Sequence, residues 1–317
     1  MPTTSAPAET LSVTVARCRL VTADIAEFTL ESADGSALPR WSAGAHIDVH
    51  IPGVGVRQYS LCSDPGDRRH YRIAVLRELG GRGGSAALHG ASRPAEMQIS
   101  MPRNNFELVE ADRYVFVAGG IGITPILPMI AEAQSRGARW ELHYGGRSAA
   151  SMAYRDVLAR HGGGVHFYPQ DEVGHVPIAD IAAGVAEGTR LYCCGPAGLI
   201  AAVEALPLPS GCVHLERFTP VEIADDEPDR QFTVRLASSG LTLEVGADQS
   251  LLEVLEAAGV APLTSCREGT CASCETLVCE GDVLHRDSVL TDEERQSGGS
   301  MMVCVSRARS KVLVLDL

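Results

Sequence analysis

The sequence predicts a multidomain chain: an antiparallel β-barrel, then an α/β domain on a parallel sheet, then a small α+β domain. Three observations predict it. Residues 11–110 read as short strands cut by turns, strands alternate with helical segments from about residue 111, and the chain closes on a dense cysteine loop.

The early strands are Leu11–Val21, Glu27–Leu30, His46–Ile51, Arg57–Leu61, Tyr71–Val75 and Met97–Ser100. Asp34-Gly35, Pro52-Gly53 and Asp64-Pro65-Gly66 lie between them, and such pairs mark tight turns. Many short strands without a long helix predict a small barrel. In Arg57-Gln58-Tyr59-Ser60-Leu61, strand alternation puts Arg57, Tyr59 and Leu61 on one face. That face is either a cation beside an aromatic ring or a half-buried strand with an exposed arginine. Gly80-Gly81-Arg82-Gly83-Gly84-Ser85 leads into a short helix from Ala86. Free N–H groups there suit a phosphate, with the Ser85 hydroxyl added, although the run also reads as a flexible loop. His46 and His50 share a strand face, but four residues along a strand is about 13 Å, too far for one metal.

The alternating region runs Tyr114–Ala118, a helix Thr124–Arg136, Trp140–Tyr144, a helix Ala149–His161, Val165–Tyr168, a helix Ile178–Ala186, Arg190–Cys194, a helix Ala197–Leu206 and Val213–Glu216. Alternation of this kind predicts a parallel sheet covered on both faces, with ligands at the carboxyl ends of its strands. Two turns fall there. Gly119-Gly120-Ile121-Gly122-Ile123-Thr124-Pro125 opens a helix, with Thr124 as N-cap and Pro125 at the first helical position. A glycine-rich turn into a helix suits a pyrophosphate. Cys193-Cys194-Gly195-Pro196 places a thiol at the same edge. Ordinary helix capping is the alternative for each.

Residues 219–230 are polar, acidic and proline-containing, as a linker would be, and Asp225, Asp226 and Glu227 are solvated linker charges rather than catalytic carboxylates. Beyond them Phe232–Leu236 and Leu241–Val245 form a hairpin, and Ser250 caps an amphipathic helix to Ala258.

The helix leads to Cys266-Arg267-Glu268-Gly269-Thr270-Cys271-Ala272-Ser273-Cys274, completed by Cys304. CxxxxCxxC with a distant fourth cysteine is the plant-type arrangement for a [2Fe–2S] cluster. Small residues (Gly269, Ala272 and Ser273) let the loop turn sharply enough for its sulfurs to converge. Zinc also takes four cysteines, but its modules usually present paired CxxC steps. Cys279, in the apolar run Thr276-Leu277-Val278-Cys279, is expected to be a buried hydrophobe rather than a ligand.

The net charge of −13 argues against nucleic acid and anionic membranes as partners and suits a partner with a basic face. Lys311 is the only lysine, which excludes lysine chemistry elsewhere. Met1–Thr10 lacks a charged-then-apolar leader, so the ten cysteines are expected in a reducing cytoplasm. The most apolar window, Tyr114–Ala131, is interrupted by glycines and prolines, and no membrane span is expected. No nucleophile stands at a recognisable spacing from a base, which leaves hydrolysis unsupported.

These motifs, in this order, resemble the phthalate dioxygenase reductase family, which includes vanillate demethylase oxidoreductase subunits. The resemblance runs through Arg57–Leu61, Gly80–Ser85, Gly119–Pro125, Tyr192–Pro196, His214–Phe218, Cys266–Cys274 and Met302–Arg307. It implies an FMN-binding barrel (1–110), an NAD(P)H-binding α/β domain (111–220), a linker (221–230) and a plant-type ferredoxin domain of β-grasp fold (231–317). It also implies that Arg57, Tyr59, Ser60 and Leu61 hold FMN, with Gly83, Gly84 and Ser85 around its phosphate. Gly120, Thr124, Cys194, Gly195 and Pro196 would shape the nicotinamide site, Phe218 would lie against the flavin, and Cys266, Cys271, Cys274 and Cys304 would ligate the cluster. Where the family pattern has an acidic residue, this chain has Ser148 after Arg147. An acidic group there would favour NADH, and Arg147 would suit NADPH.

The function implied is electron transfer from NADH through FMN and [2Fe–2S] to a terminal Rieske-type oxygenase acting in aromatic catabolism. A haem or di-iron monooxygenase is the alternative acceptor, and a non-catalytic redox sensor or zinc-stapled binding module is the alternative class.

Overall fold

The computed structural model describes residues 10–90, 95–209, 211–220 and 227–317. The expected linker at 221–230, with Asp225 and Asp226, lies in its first six positions outside the described residues. Two compact units are present, Glu9–Phe218 and Thr219–Leu317, so the barrel and the parallel sheet belong to one unit.

The barrel strands are β1 (Thr10–Leu20), β2 (Ile25–Ser32), β3 (His46–Ile51), β4 (Gly55–Ser60) and β5 (Tyr71–Leu76), then helix α1 (Gly84–His89) and β6 (Glu96–Ser100). They pair antiparallel in the order β4-β3-β6-β1-β2-β5. A bridge from Leu61 to Ile73 joins the two ends and nearly closes the barrel. Alternate side chains fill it: Phe28, Leu30, Ile47, Val49, Tyr71 and Ile73 are buried. Leu61 is buried among them.

The parallel sheet contains β7 (Arg113–Gly119), then α2 (Ile123–Ser135), β8 (Arg139–Gly146), α3 (Arg155–Leu158), β9 (Val165–Pro169), α4 (Gln170–Val173), α5 (Ile178–Ala183), β10 (Thr189–Cys194), α6 (Ala197–Glu204) and β11 (Val213–Glu216). Its order is β11-β10-β7-β8-β9, so the winding reverses between β7 and β10. Tyr114, Phe116, Leu142, Tyr144 and Tyr192 pack with Ile126, Met129 and Ile130 of α2 on one face. Val115, Val117, Leu191 and Cys193 pack with Ile178 and Ile181 of α5 and Ile200 and Val203 of α6 on the other. Burial on both faces explains the nearly continuous apolar strands.

Some expected boundaries are corrected. The helix expected over Ala149–His161 is broken, because Tyr154 takes a left-handed φ of 60° and α3 covers only four residues between two 3₁₀ turns. Tyr154 leaves the helical path to send its hydroxyl to the buried Glu27 carboxylate of the barrel, at 2.9 Å. Thr124 is inside α2 rather than its N-cap: a 3₁₀ turn at Gly120–Gly122 starts the helix early and Gly122 is the cap. The helix at Ile178 stops at Ala183, ahead of Gly184.

The second unit holds β12 (Phe232–Leu236), β13 (Thr242–Val245), α7 (Leu251–Ala257), β14 (Glu275–Glu280), β15 (Val283–Leu284), α8 (Asp292–Ser297), β16 (Ser300–Met302), β17 (Arg307–Ala308) and β18 (Val312–Leu315). The main sheet has the order β13-β12-β18-β14-β16, with β12 and β18 parallel. Helix α7 buries Leu251, Leu252 and Leu255 in this unit's core, which is the β-grasp layout expected. The Ser250 hydroxyl accepts the Glu253 N–H while the Glu253 carboxylate accepts the Ser250 N–H. Cys279 is exposed, contrary to expectation, because alternation along β14 puts it with the exposed Leu277 on the outer face, opposite the buried Thr276. Among the described residues no helix is long and apolar enough to cross a membrane.

Candidate functional site

The barrel motif and the glycine loop meet through Arg57. Its guanidinium donates to the carbonyls of Val56 and Arg82, each at 2.7 Å, and so reaches from β4 to the loop before α1. A Cβ on Gly84 would stand 2.6 Å from the Arg57 Cγ, so glycine is required for the arginine stem to lie across the helix start. Gly83 is the α1 cap with a φ of 83°, open to glycine at no steric cost. The Ser85 hydroxyl accepts the Glu78 N–H at 3.1 Å and keeps its own proton to donate. A cation beside the free N–H groups of a helix start is a cradle for a phosphate dianion, and the residues fit that part of FMN. Tyr59 is half-buried along the same strand, and burial pushes its phenol up to about 12.

At the carboxyl edge of the parallel sheet the two expected turns interlock. A Cβ on Gly122 would lie 2.2 Å from the Cys194 carbonyl oxygen, one on Gly119 would lie 2.6 Å from Pro196, and one on Gly195 would lie 2.9 Å from the Gly119 backbone. Gly119, Gly122 and Gly195 are thus committed to packing one turn on the other. Gly120 differs, with a φ of 54° and open space where a side chain would be. Its carbonyl accepts the Tyr144 hydroxyl at 3.0 Å, and the Thr124 hydroxyl donates to the Ile121 carbonyl at 3.0 Å. The crevice at this strand reversal is where open α/β sheets bind ligands.

Ser60, Cys194 and Glu216 converge beside it. Cys194 and Glu216 are register partners on β10 and β11, and the Cys194 thiol lies 3.8 Å from the Glu216 carboxylate. The buried Ser60 hydroxyl also hydrogen-bonds that carboxylate. Burial pushes the Glu216 carboxyl up to about 8 and raises the Cys194 thiol well above its ordinary range. Glu216 was not among the residues predicted from sequence. Its sequence marks are its place inside the His214–Phe218 run and at a strand's carboxyl end, two residues before Phe218, which is 43% exposed.

The cysteine loop curls through three left-handed residues: Arg267 (φ 59°), Gly269 (φ 69°) and Ala272 (φ 54°). Gly269 also needs its lack of a side chain, since a Cβ would strike Val305 at 2.6 Å. The Glu268 and Thr270 N–H groups point at the Cys266 sulfur, at 3.3 and 3.5 Å. Cys274 and Cys304 stand 3.1 Å apart, and Cys266 hydrogen-bonds both Cys271 and Cys304, so the four sulfurs form a row. One zinc would need all its sulfurs about 3.8 Å from one another. Among the described residues, the three ligand-type side chains that do converge within 4.8 Å are Glu141, His143 and His166, not three of these cysteines. Four thiolates strung in a row, with no three of them mutually close, fit two irons better than one zinc.

Over residues 234–309 the chain matches the model of the 2Fe-2S iron-sulfur cluster binding domain. It is 42% identical over 320 residues to a vanillate O-demethylase oxidoreductase of Pseudomonas sp. (strain HR199 / DSM 7063), covering 97% of this chain and all of the relative. The solved structure of phthalate dioxygenase reductase superposes with a TM-score of 0.68 at 38% identity, covering 97% of this chain and 98% of that one.

The chain belongs to the phthalate dioxygenase reductase family. That structure is described as a modular structure for electron transfer from pyridine nucleotides to [2Fe–2S]. The reductase fold also occurs inside a longer protein, an intact type IV self-sufficient cytochrome P450 monooxygenase, with a TM-score of 0.89 at 42% identity. The chain covers 41% of that protein's length. Like its family, this reductase is a flavin- and nicotinamide-type oxidoreductase joined to a 2Fe-2S domain.

Proposed function

We propose that the chain is the reductase component of a Rieske-type aromatic-ring oxygenase or O-demethylase system, taking electrons from NADH for a separate oxygenase. The observation that carries this reading is the clustering of four cysteines in the same chain as a phosphate-cradling barrel and a parallel sheet with a ligand crevice. Relatives named as dioxygenase and demethylase subunits support a separate oxygenase as acceptor. When bound, FMN and the cluster turn the hydride pair of NADH into single electrons.

The chain's own residues bind and orient. Arg57, Gly83, Gly84 and Ser85 receive the FMN phosphate, while Tyr59, Ser60 and the Leu61 backbone hold the rest of the flavin along β4. Gly120, Thr124, Gly195 and Pro196 frame the nicotinamide crevice. Cys194 lies buried beneath it beside Glu216, whose carboxyl, protonated near neutral pH, keeps negative charge out of the pocket. Phe218, exposed at the pocket rim, excludes water and yields to the incoming nicotinamide. Cys266, Cys271, Cys274 and Cys304 ligate the cluster. We place the domain boundaries at 110/111 and 220/221, with the ferredoxin domain from 231, and the protein in the reducing cytoplasm, where unpaired cysteines persist.

An anaerobic titration with NADH and then NADPH, with flavin and iron extracted from the same sample, tests this reading. It expects about one FMN and two irons per chain and bleaching of both the flavin and the iron–sulfur bands. Zinc in place of iron, or a flavin that neither nucleotide reduces, overturns it.

A further inference from the structure

We propose that the parallel sheet carries a divalent transition-metal site of the zinc class on Glu141, His143 and His166, separate from the cysteine centre. His143 on β8 lies directly opposite His166 on β9, and alternation puts Glu141 on the same face. One ligand atom from each of the three lies within 4.8 Å of the others.

The surrounding contacts leave the right atoms facing inward. Arg113 takes one Glu141 oxygen at 3.0 Å, and the other oxygen faces the His143 Nε2 at 3.9 Å, beyond hydrogen-bond reach. The Tyr168 hydroxyl sits 3.0 Å from the His143 Nδ1 and, accepting its proton, leaves the Nε2 lone pair free for a metal. The His143 and His166 rings are held parallel, with centroids 4.8 Å apart and an interplanar angle of 15°. Two imidazoles and a carboxylate suit zinc and its borderline neighbours rather than calcium or magnesium. Metal–ligand bonds of about 2.1 Å put tetrahedral ligand atoms about 3.4 Å apart, so the exposed His166 ring must swing inward. Its exposure supplies the path of entry and room for a water as fourth ligand. Occupancy would tie the edge strand β9 to β8, three residues before the Gly146-Arg147 turn that precedes Ser148.

The test is equilibrium dialysis of the flavin- and cluster-loaded full chain against zinc chloride at micromolar free zinc, with zinc and iron measured per chain. The expected result is one zinc per wild-type chain, binding at least about 10-fold weaker in His166→Gln, in Glu141→Gln and, through lost orientation, in Tyr168→Phe. Iron content and NADH-driven ferricyanide reduction should be unchanged in His166→Gln, which shows that the variant is folded. Equal zinc affinity in wild type and His166→Gln would place the ion on thiols and overturn the assignment, as would a wild-type chain that retains no zinc.

Discussion

Burial pushes the Glu216 carboxyl from an ordinary 4.5 up to about 8, and the consequence for stability has a definite sign. Between those values the folded chain holds a proton that the unfolded chain has released. Stability therefore falls as pH rises through that window, by at most about 1.4 kcal/mol per pH unit, and is unaffected by this group below 4.5. Glu216→Gln should flatten the decline, as thermal melts of the nucleotide-free protein between about pH 5 and 8 would record; an unchanged slope would show that another group carries it. Cys304 acts on a different reaction partner. Its sulfur lies 3.1 Å from that of Cys274, and Cys304→Ser is expected to abolish cluster iron while NADH still reduces the flavin. Loss of flavin reduction as well would count against separate roles for the two units.

At the scale of elements, the two turns after β7 and β10 behave as one object. A Cβ at Gly122 meets a backbone oxygen at 2.2 Å, and backbone cannot rotate aside as a side chain can. Gly122→Ala should cost about 3 kcal/mol, the upper part of the range for overpacking, and raise the KM for NADH. Urea melts and steady-state kinetics check the two halves of that expectation, and an alanine tolerated in both would show that the turns can separate freely. The break at Tyr154 is also an element-scale effect: a single left-handed residue interrupts the helical path ahead of α3 and reaches Glu27, which Arg19 clamps at 2.7 Å.

For the whole molecule, charge is unevenly placed. Residues 231–317 carry 13 acidic and seven basic side chains, so the cluster-bearing unit holds a large share of the net −13. Docking to an oxygenase with a basic face would be steered electrostatically. Turnover with the partner should fall as salt shortens the screening length from about 30 Å to about 8 Å, whereas reduction of the flavin by NADH in the absence of partner should not. Stopped-flow rates over a salt series separate the two.

The sequence by itself determined the order of the three folds, the four cysteines and the glycine-rich turns, because periodicity, turn chemistry and ligand spacing are local properties written into neighbouring residues. The Ser250 cap was legible for the same reason. Only the tertiary structure decided that Thr124 lies inside its helix, that Cys279 faces solvent and that Leu61 fills the barrel. It alone paired Glu216 with Cys194 and Ser60, and brought Glu141 and His143 to His166 across two strands. Those facts depend on strand register and on which backbone lies against which, and residues far apart in sequence cannot announce that they will meet.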